Sequence, residues 1–265
     1  MRIKINHNTH YSYSHAVDYA LQKLRLRPLG SPLQSVVDWS IEITGGKLET
    51  SYADHYGNHV DLVSIDPGAQ SLAITVSGIV ETHNTTGVLG QVYGKAPLWL
   101  FKQPTPLTTA GPLITSLAAV MDQNNDPLTE LHALSDAILK AAPYMAGETH
   151  TRTTAEDALK GKLGVCQDHA QIFITAARLK GIPARYVSGY LVINDQIEQS
   201  ATHAWAEAHV EGLGWVGFDV SNGVSPDEKY VRLAIGRDAS EAAPIEGMRM
   251  GPSDETLIVS LQIQQ

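Results

Sequence analysis

The chain has 265 residues, of which 43% are hydrophobic, so it can bury a sizeable core in one large domain or two smaller ones. Its net charge of −9, with no tract of clustered lysine and arginine, argues against a nucleic-acid partner, and its single cysteine excludes intrachain disulfides. It shows neither an apolar run of transmembrane length nor the layout of a signal peptide. We therefore expect a soluble, cytoplasmic protein without a membrane partner.

The first 100 residues show the alternation of apolar and polar side chains that is typical of β-strands. Residues 39–43 and 72–76 follow this period, and Gly45-Gly46 and Pro67-Gly68 mark neighbouring turns. Such a pattern predicts a small antiparallel sandwich or barrel. We therefore predict a β-rich N-terminal domain over residues 1–100.

A proline-rich stretch and two predicted helices follow. Residues 95–112 contain four prolines and little periodicity, which is typical of a linker. Helices are predicted over 112–120 and 126–142. Asp126 before Pro127 offers a helix N-cap followed by proline at the first helical position.

The only cysteine is predicted to start a mostly buried helix over residues 166–180. Gly181 ends this helix as a C-cap, and Pro183 prevents its continuation. The positive end of the helix dipole stabilises an anion such as a thiolate at Cys166 by about 0.3–1 kcal/mol, and by up to about 2 kcal/mol when partly buried. Asp168 opposes this effect by its charge, so a reactive thiolate requires an imidazolium partner.

Candidates for that partner lie on predicted strands downstream, over residues 184–193, 202–210 and 214–220. An antiparallel pairing of the last two through a tight turn is expected to bring His203 opposite Asp219. That placement is what a hydrogen bond between an imidazole and an orienting carboxylate requires.

The same strand allows an alternative interpretation as a metal site. Period two places His203, Glu207 and His209 on one face. Zinc sites use a closer set of ligands with recognisable spacing. We therefore expect no metal ion and no other cofactor, and we interpret Glu207 as a structural or supporting group.

Several blocks of this sequence resemble the transglutaminase-like superfamily and occur in family order. His169 and Gln171 depart from the bacterial pattern, which has Phe and His there, and this affects the pocket beside the cysteine. The front of the chain, including Gln34 and the run Tyr56-Gly57-Asn58, resembles the N-terminal region of bacterial members, so the resemblance covers nearly the whole chain. The matching blocks are Gly164–Ala170, Gly181–Tyr190, His203–Glu207 and Gly214–Asp219.

This resemblance implies an α+β fold with an N-terminal antiparallel β domain and a papain-like, transglutaminase-type catalytic core. It divides the chain into the β-rich domain at 1–100, a helical connector at 101–150 and the core at 151–265. We expect the C-terminal strand at 256–263 to complete the core.

The resemblance also implies residue roles. Cys166 would be the nucleophile, His203 the general base and Asp219 the group that orients the imidazole. The backbone N–H of Cys166 is the natural first donor to an oxyanion, and Tyr144 or Gln167 is expected to supply a second.

Trp205 stands two residues after the expected general base, within the block His203–Glu207. We expect it to form a wall of the site, and core packing is the alternative role.

The implied reaction is acyl transfer from a protein or peptide amide through a thioester on Cys166. Water as the acceptor makes the protein a cysteine protease or amidase, and a primary amine makes it a transglutaminase, with glutamine deamidation as a related outcome. Hydrolysis is the expected reaction, because water competes at high concentration unless the site excludes it. An alternative of another class is a non-catalytic protein-binding module with a vestigial site.

Overall fold

The computed structural model describes the chain except for residues 92–94, 123–125, 194–195 and 251–253. The N-terminal strands are β1 (Arg2–Tyr13), β2 (Tyr19–Leu24), β3 (Gln34–Thr44), β4 (Gly46–Ala53), β5 (His59–Ile65), β6 (Ser71–Thr82) and β7 (Val88–Gly90). The helices are α1 (Pro112–Ala118), α2 (Pro127–Ala141), α3 (Ala155–Gly161) and α4 (Cys166–Leu179). The later strands are β8 (Ala184–Leu191), β9 (Glu198–Gln199), β10 (His203–Val210), β11 (Gly214–Phe218), β12 (Tyr230–Gly236), β13 (Ile245–Met250) and β14 (Glu255–Gln264).

The N-terminal region is an antiparallel sandwich, as its alternation predicts. One sheet has the strand order β3-β6-β1-β14-β9 and the other β13-β2-β5-β4. Alternate side chains of both sheets are buried in one shared apolar core, among them Ile5, Leu24, Val63 and Ile74. Residues of period two meet there because successive side chains of a strand point to opposite faces.

The C-terminal strand lies in this sandwich, and its predicted place in the catalytic core is wrong. β14 pairs antiparallel with β1, from Lys4 opposite Gln264 to Tyr13 opposite Glu255. Its buried side chains Leu261 and Ile263 complete the sandwich core. Periodicity predicts which face of a strand is buried, but it carries no information on which edge the strand pairs with.

A third sheet and the helices form a second, α+β unit, which is called the core below. The sheet has the order β12-β8-β10-β11-β7, and α4 packs against β10 through the alanines at 204, 206 and 208. Small side chains on that face allow the helix to approach the sheet closely. α4 starts at Cys166 as predicted, and Gly181 follows it in the left-handed conformation, with φ of 75°.

The predicted linker at 95–112 is held against this core by two short 3₁₀ helices, Leu98–Lys102 and Pro106–Thr108. The buried side chain of Arg178 donates from Nε to the carbonyl of Phe101 (2.8 Å) and from Nη1 to Oγ1 of Thr108 (2.9 Å). α2 starts as predicted, because Asp126 Oδ1 accepts from the first free N–H groups of the helix. No helix within the described ranges has the length and apolarity needed to cross a bilayer.

Two amide side chains of the sandwich dock it onto the edge strand β12. Asn58 Nδ2 donates to the carbonyl of Ile235 (2.8 Å), and its Oδ1 accepts from the Ile235 N–H (2.9 Å). Gln34 makes the same two contacts with the backbone of Arg232, at 2.8 Å each. Both amides are buried, so each takes the place of a neighbouring strand and satisfies the strand edge.

Candidate active site

Cys166 is the first residue of α4 and is partly exposed in a large cleft. The buried carboxylate of Asp168, three residues after Val165, accepts from the Val165 N–H (2.8 Å) and from Thr149 Oγ1 (2.6 Å), both through Oδ2. Asp168, whose charge is expected to oppose the thiolate, thus also holds the start of the helix. This contact fixes the backbone that presents the thiol.

His203 is held between Cys166 and Asp219. Its Nε2 lies 2.7 Å from Asp219 Oδ2, and the imidazole lies close enough to Cys166 for the thiol to raise its pKa. Because Nε2 faces the carboxylate, Nδ1 is the nitrogen that serves the thiol. The three predicted residues are thus brought together in the order thiol, imidazole, carboxylate.

Asp219 is fully buried and accepts hydrogen bonds from several donors besides His203. Tyr230 Oη and Asn222 Nδ2 each donate to Oδ2 at 2.7 Å, and the Asn222 N–H donates to Oδ1 at 3.3 Å. These donors fix the carboxylate in one orientation and favour its charged form.

The electrostatics make this pair an imidazolium and a carboxylate. Burial lowers the pKa of His203, but the hydrogen bonds and charges of Asp219 and Cys166 outweigh it and raise the pKa to about 10. Burial raises the pKa of Asp219, while the hydrogen bond and charge of His203 hold it below its usual range. Both groups are therefore charged at neutral pH, which provides the cationic partner that a thiolate needs.

The strand register differs from the predicted one. β10 and β11 pair with Ala206 opposite Phe218, so Asp219 is one residue beyond β11 and not opposite His203. It sits in a turn closed by its N–H donating to the Val224 carbonyl (2.9 Å). Its side chain reaches His203 from this turn, which explains how the residue combines a turn position with contact to the imidazole.

The cleft around Cys166 has a volume of about 1500 Å³ and lies between the core and the sandwich. Cys166 and His203 line it, and so do Tyr11, Arg25 and Tyr52 of the sandwich. The N-terminal β region therefore forms a wall of the cleft.

The three remaining predicted site residues have different positions. Tyr144 and Gln167 line the cleft, and Tyr144 is 53% exposed. Trp205 is buried and is not among the described residues that line the cleft. Its ring stacks on His203 at a centroid distance of 6.3 Å and meets Tyr230 edge to face at 5.4 Å, so it supports the imidazole from behind.

His169 and Gln171, the departures from the family pattern, lie beneath the site and do not line the cleft. His169 donates from Nε2 to the Ala142 carbonyl (2.7 Å), and its Nδ1 accepts from Ser221 Oγ (2.8 Å). Burial lowers the pKa of His169 and keeps the ring neutral. The departures at His169 and Gln171 therefore change the packing beneath the cleft and not its lining.

Tyr230 and Asn222 are site residues that sequence reasoning missed. Asn222 carries a local signal, because asparagine three residues after an aspartate is common in turns. Tyr230 carries no such signal, since its contact with Asp219 depends on how β12 joins the sheet.

The metal alternative has no support in the described ranges, where no group of three His, Cys, Asp or Glu side chains is placed to hold an ion. Glu207 pairs with Arg185 at 2.6 Å and with Arg232 at 3.1 Å. His209 packs edge to face on Trp215.

Comparison with known proteins agrees with this architecture. Residues 3–81 match the bacterial transglutaminase-like N-terminal region and residues 115–220 match the transglutaminase-like superfamily. An uncharacterised protein of Mycobacterium leprae is 28% identical over 99% of this chain and 98% of its own, and one of Mycobacterium tuberculosis is 28% identical over 97% and 90%. A solved structure from Cytophaga hutchinsonii, named a "Putative Cysteine Protease", has the same fold, with a TM-score of 0.78 at 21% identity over 100% of this chain and 98% of that one. The chain therefore belongs to the transglutaminase-like superfamily and carries the bacterial transglutaminase-like N-terminal region.

Proposed function

We propose that this protein is a cysteine hydrolase that cleaves amide bonds of a protein or peptide through a thioester on Cys166. The observation that carries the proposal is the position of His203, which hydrogen-bonds to Asp219 and interacts electrostatically with Cys166. An imidazolium there and the positive end of α4 both favour the thiolate.

In the proposed reaction the Cys166 thiolate attacks the amide carbonyl, and the C–N bond breaks as His203 gives its Nδ1 proton to the leaving amine. Neutral His203 then takes a proton from water, which attacks the thioester and releases the acid and the thiol. The backbone N–H of Cys166 is the first donor to the oxyanion. Tyr144 and Gln167, which line the cleft, are the candidates for the second.

The size and position of the cleft support a peptide substrate and water as the acceptor. A volume of about 1500 Å³ accommodates an extended segment alongside both the core and the sandwich. Cys166 is partly exposed, so water reaches a thioester formed on it. Transfer to a primary amine, or deamidation of glutamine, uses the same three residues and is the alternative within this class.

Mass spectrometry of the intact protein after incubation with peptide amides, some containing glutamine, tests the proposal. We expect an acyl adduct on Cys166 and release of the acid, and no adduct or product with Cys166→Ala, whose circular dichroism should match the wild type. Addition of a primary alkylamine separates the alternatives, since an amide product identifies transfer.

Alkylation provides an independent test of the nucleophile. Near neutral pH, iodoacetamide should modify Cys166 far faster than a model thiol of pKa about 8.5. A rate equal to that of the model thiol, together with no adduct from any peptide, would contradict the proposal and favour the non-catalytic binding module.

A further inference from the structure

A second cavity, of about 300 Å³, lies on the face of the third sheet (β12-β8-β10-β11-β7) that is opposite α4. In β10 the alanines at 206 and 208 face the helix, whereas Glu207 between them faces away and pairs with Arg185 of β8. Arg185 lines this cavity together with Arg232 of β12 and with Leu29 and Tyr56 of the sandwich. The cavity therefore sits where the sandwich docks on the sheet, away from Cys166.

Arg185 is 2% exposed and has spare hydrogen-bonding capacity. Its Nε donates to Glu207 Oε2 at 2.6 Å, and its guanidinium lies 3.8 Å from the ring centroid of Trp215. In the part of the chain that the structure describes, Glu207 is its one hydrogen-bond partner, through Nε. The two terminal nitrogens are not among the fully buried atoms without a partner, so their N–H groups are accessible from the cavity that Arg185 lines. A buried guanidinium is normally satisfied by several acceptors.

The charges around the cavity are unbalanced. Arg185 and Arg232 share the single carboxylate of Glu207, and none of the described residues that line the cavity is acidic. Burial lowers the pKa of Arg185 to about 10, which leaves it protonated at neutral pH. Burial raises the pKa of Glu207, but Arg232 and Arg185 outweigh this and keep it ionised. The cluster thus carries one net positive charge, and Lys95 adds another to the lining.

We propose that this cavity binds a small organic carboxylate, with the carboxylate group on Arg185 and Arg232. The remaining wall is mostly apolar, with Leu29, Leu89 and Ile235, and it suits a short aliphatic or aromatic body. One negative charge balances the arginine pair, and a planar carboxylate matches the fork of a guanidinium. The volume is at the lower end of the range for small-molecule sites.

Calorimetry on the full chain tests the site with matched pairs of ligands. Hexanoate and benzoate should bind with one site per chain and raise the melting temperature, whereas hexanamide and benzamide, which keep the shape and lose the charge, should not. The dipeptide Ala-Leu with a free or an amidated C-terminus distinguishes a peptide end from a free acid as the source of the carboxylate. If the dipeptide with the free C-terminus binds and the amidated form does not, the C-terminal carboxylate of a peptide is sufficient for binding.

Two variants and their controls locate the binding. Arg232→Gln should weaken binding by about tenfold or more, because a charge-assisted contact is lost, while Arg27→Gln, which also removes an arginine paired with a buried acid, Asp61, should leave it unchanged. Gly30→Leu should block the cavity without a clash, since a Cβ at Gly30, which lines it, meets no atom within 4 Å. Gly161→Leu, equally open and distant from the cavity, is its control.

The proposal is overturned if the carboxylates do not bind at millimolar concentration or if the amides bind equally well. It is also overturned if correctly folded Gly30→Leu binds like the wild type. None of these outcomes depends on the proposed hydrolysis, because Cys166 does not line this cavity.

Discussion

The protonation of His203 decides whether the proposed site can act on an amide. The imidazolium is needed twice, to stabilise the thiolate and to protonate the leaving amine. Its pKa is raised to about 10 by Asp219 and Cys166 in spite of burial. We therefore expect the loss of this proton to set the alkaline limit of the proposed turnover.

We expect kcat/KM for a peptide amide to fall as the pH rises through about 10, measured between about pH 6 and about pH 11. Iodoacetamide alkylation should not fall with it, because alkylation needs only the thiolate. The contribution of His203 to the free energy of unfolding changes with pH in the same direction. It is complete below the unfolded-state pKa of about 6.5 and is lost as the pH rises through the raised pKa of the folded state. An alkaline limb near neutrality would show that His203 is not held as an imidazolium.

Asp219→Asn should reduce turnover by about 10- to 150-fold, which corresponds to a charge-assisted hydrogen bond of about 1.5–3 kcal/mol. Asparagine also places an NH₂ group among donors, so we expect the free energy of unfolding to drop by about 1–3 kcal/mol. Steady-state kinetics and urea unfolding measure the two effects.

The Tyr230→Phe variant is the control for Asp219→Asn. It removes one donor to Asp219 and keeps the charge, and its effect on turnover should be much smaller. If Asp219→Asn keeps full activity, Asp219 has only a structural role in its turn and does not orient His203.

At the scale of elements, the start of α4 depends on one carboxylate. Asp168 satisfies the Val165 N–H and the Thr149 hydroxyl, and both are donors that would otherwise be unpaired in a partly buried place. Asp168→Ala should therefore lower the free energy of unfolding by about 1–3 kcal/mol in urea titrations. Asp168→Asn keeps an acceptor and should lose much less. Equal losses in the two variants would mean that charge, and not hydrogen bonding, is what Asp168 contributes.

β10 connects the two sites because its faces have different roles. The alanine face packs against α4, and the other face carries His203 at one end and Glu207 four residues later. Trp205 lies buried between them. A rigid strand thus holds both the proposed general base and the carboxylate shared by the arginine pair.

At the scale of the whole molecule, the docking of the sandwich on the core shapes the cleft. Asn58→Ala leaves the N–H and the carbonyl of Ile235 unpaired, and each buried group left unpaired costs about 1–3 kcal/mol. We expect a melting temperature lower by at least about 4 °C. kcat/KM for peptides should fall, with little change in alkylation by the small reagent iodoacetamide.

The exposed Asn8 of β1 provides the matched control. Asn8→Ala should melt like the wild type. An unchanged melting temperature in Asn58→Ala would show that its two contacts with β12 are not what holds the regions together.

The sequence by itself determined much of the local structure and three residues of the candidate site. Period two indicated the sandwich strands, Asp126 before Pro127 indicated the start of α2, and the resemblance to the transglutaminase-like superfamily singled out Cys166, His203 and Asp219. The strand and helix signals depend on backbone preferences and side-chain patterns within a few residues, and a sequence carries such information directly.

Only the tertiary structure decided how these elements meet. It placed β14 beside β1, moved Asp219 into the turn after β11, put Trp205 behind His203, and added Tyr230 to the carboxylate. Strand partners and register follow from the apolar surface that the whole chain buries and from the geometry of its turns. Both are properties of distant residues acting together, so no local pattern determines them.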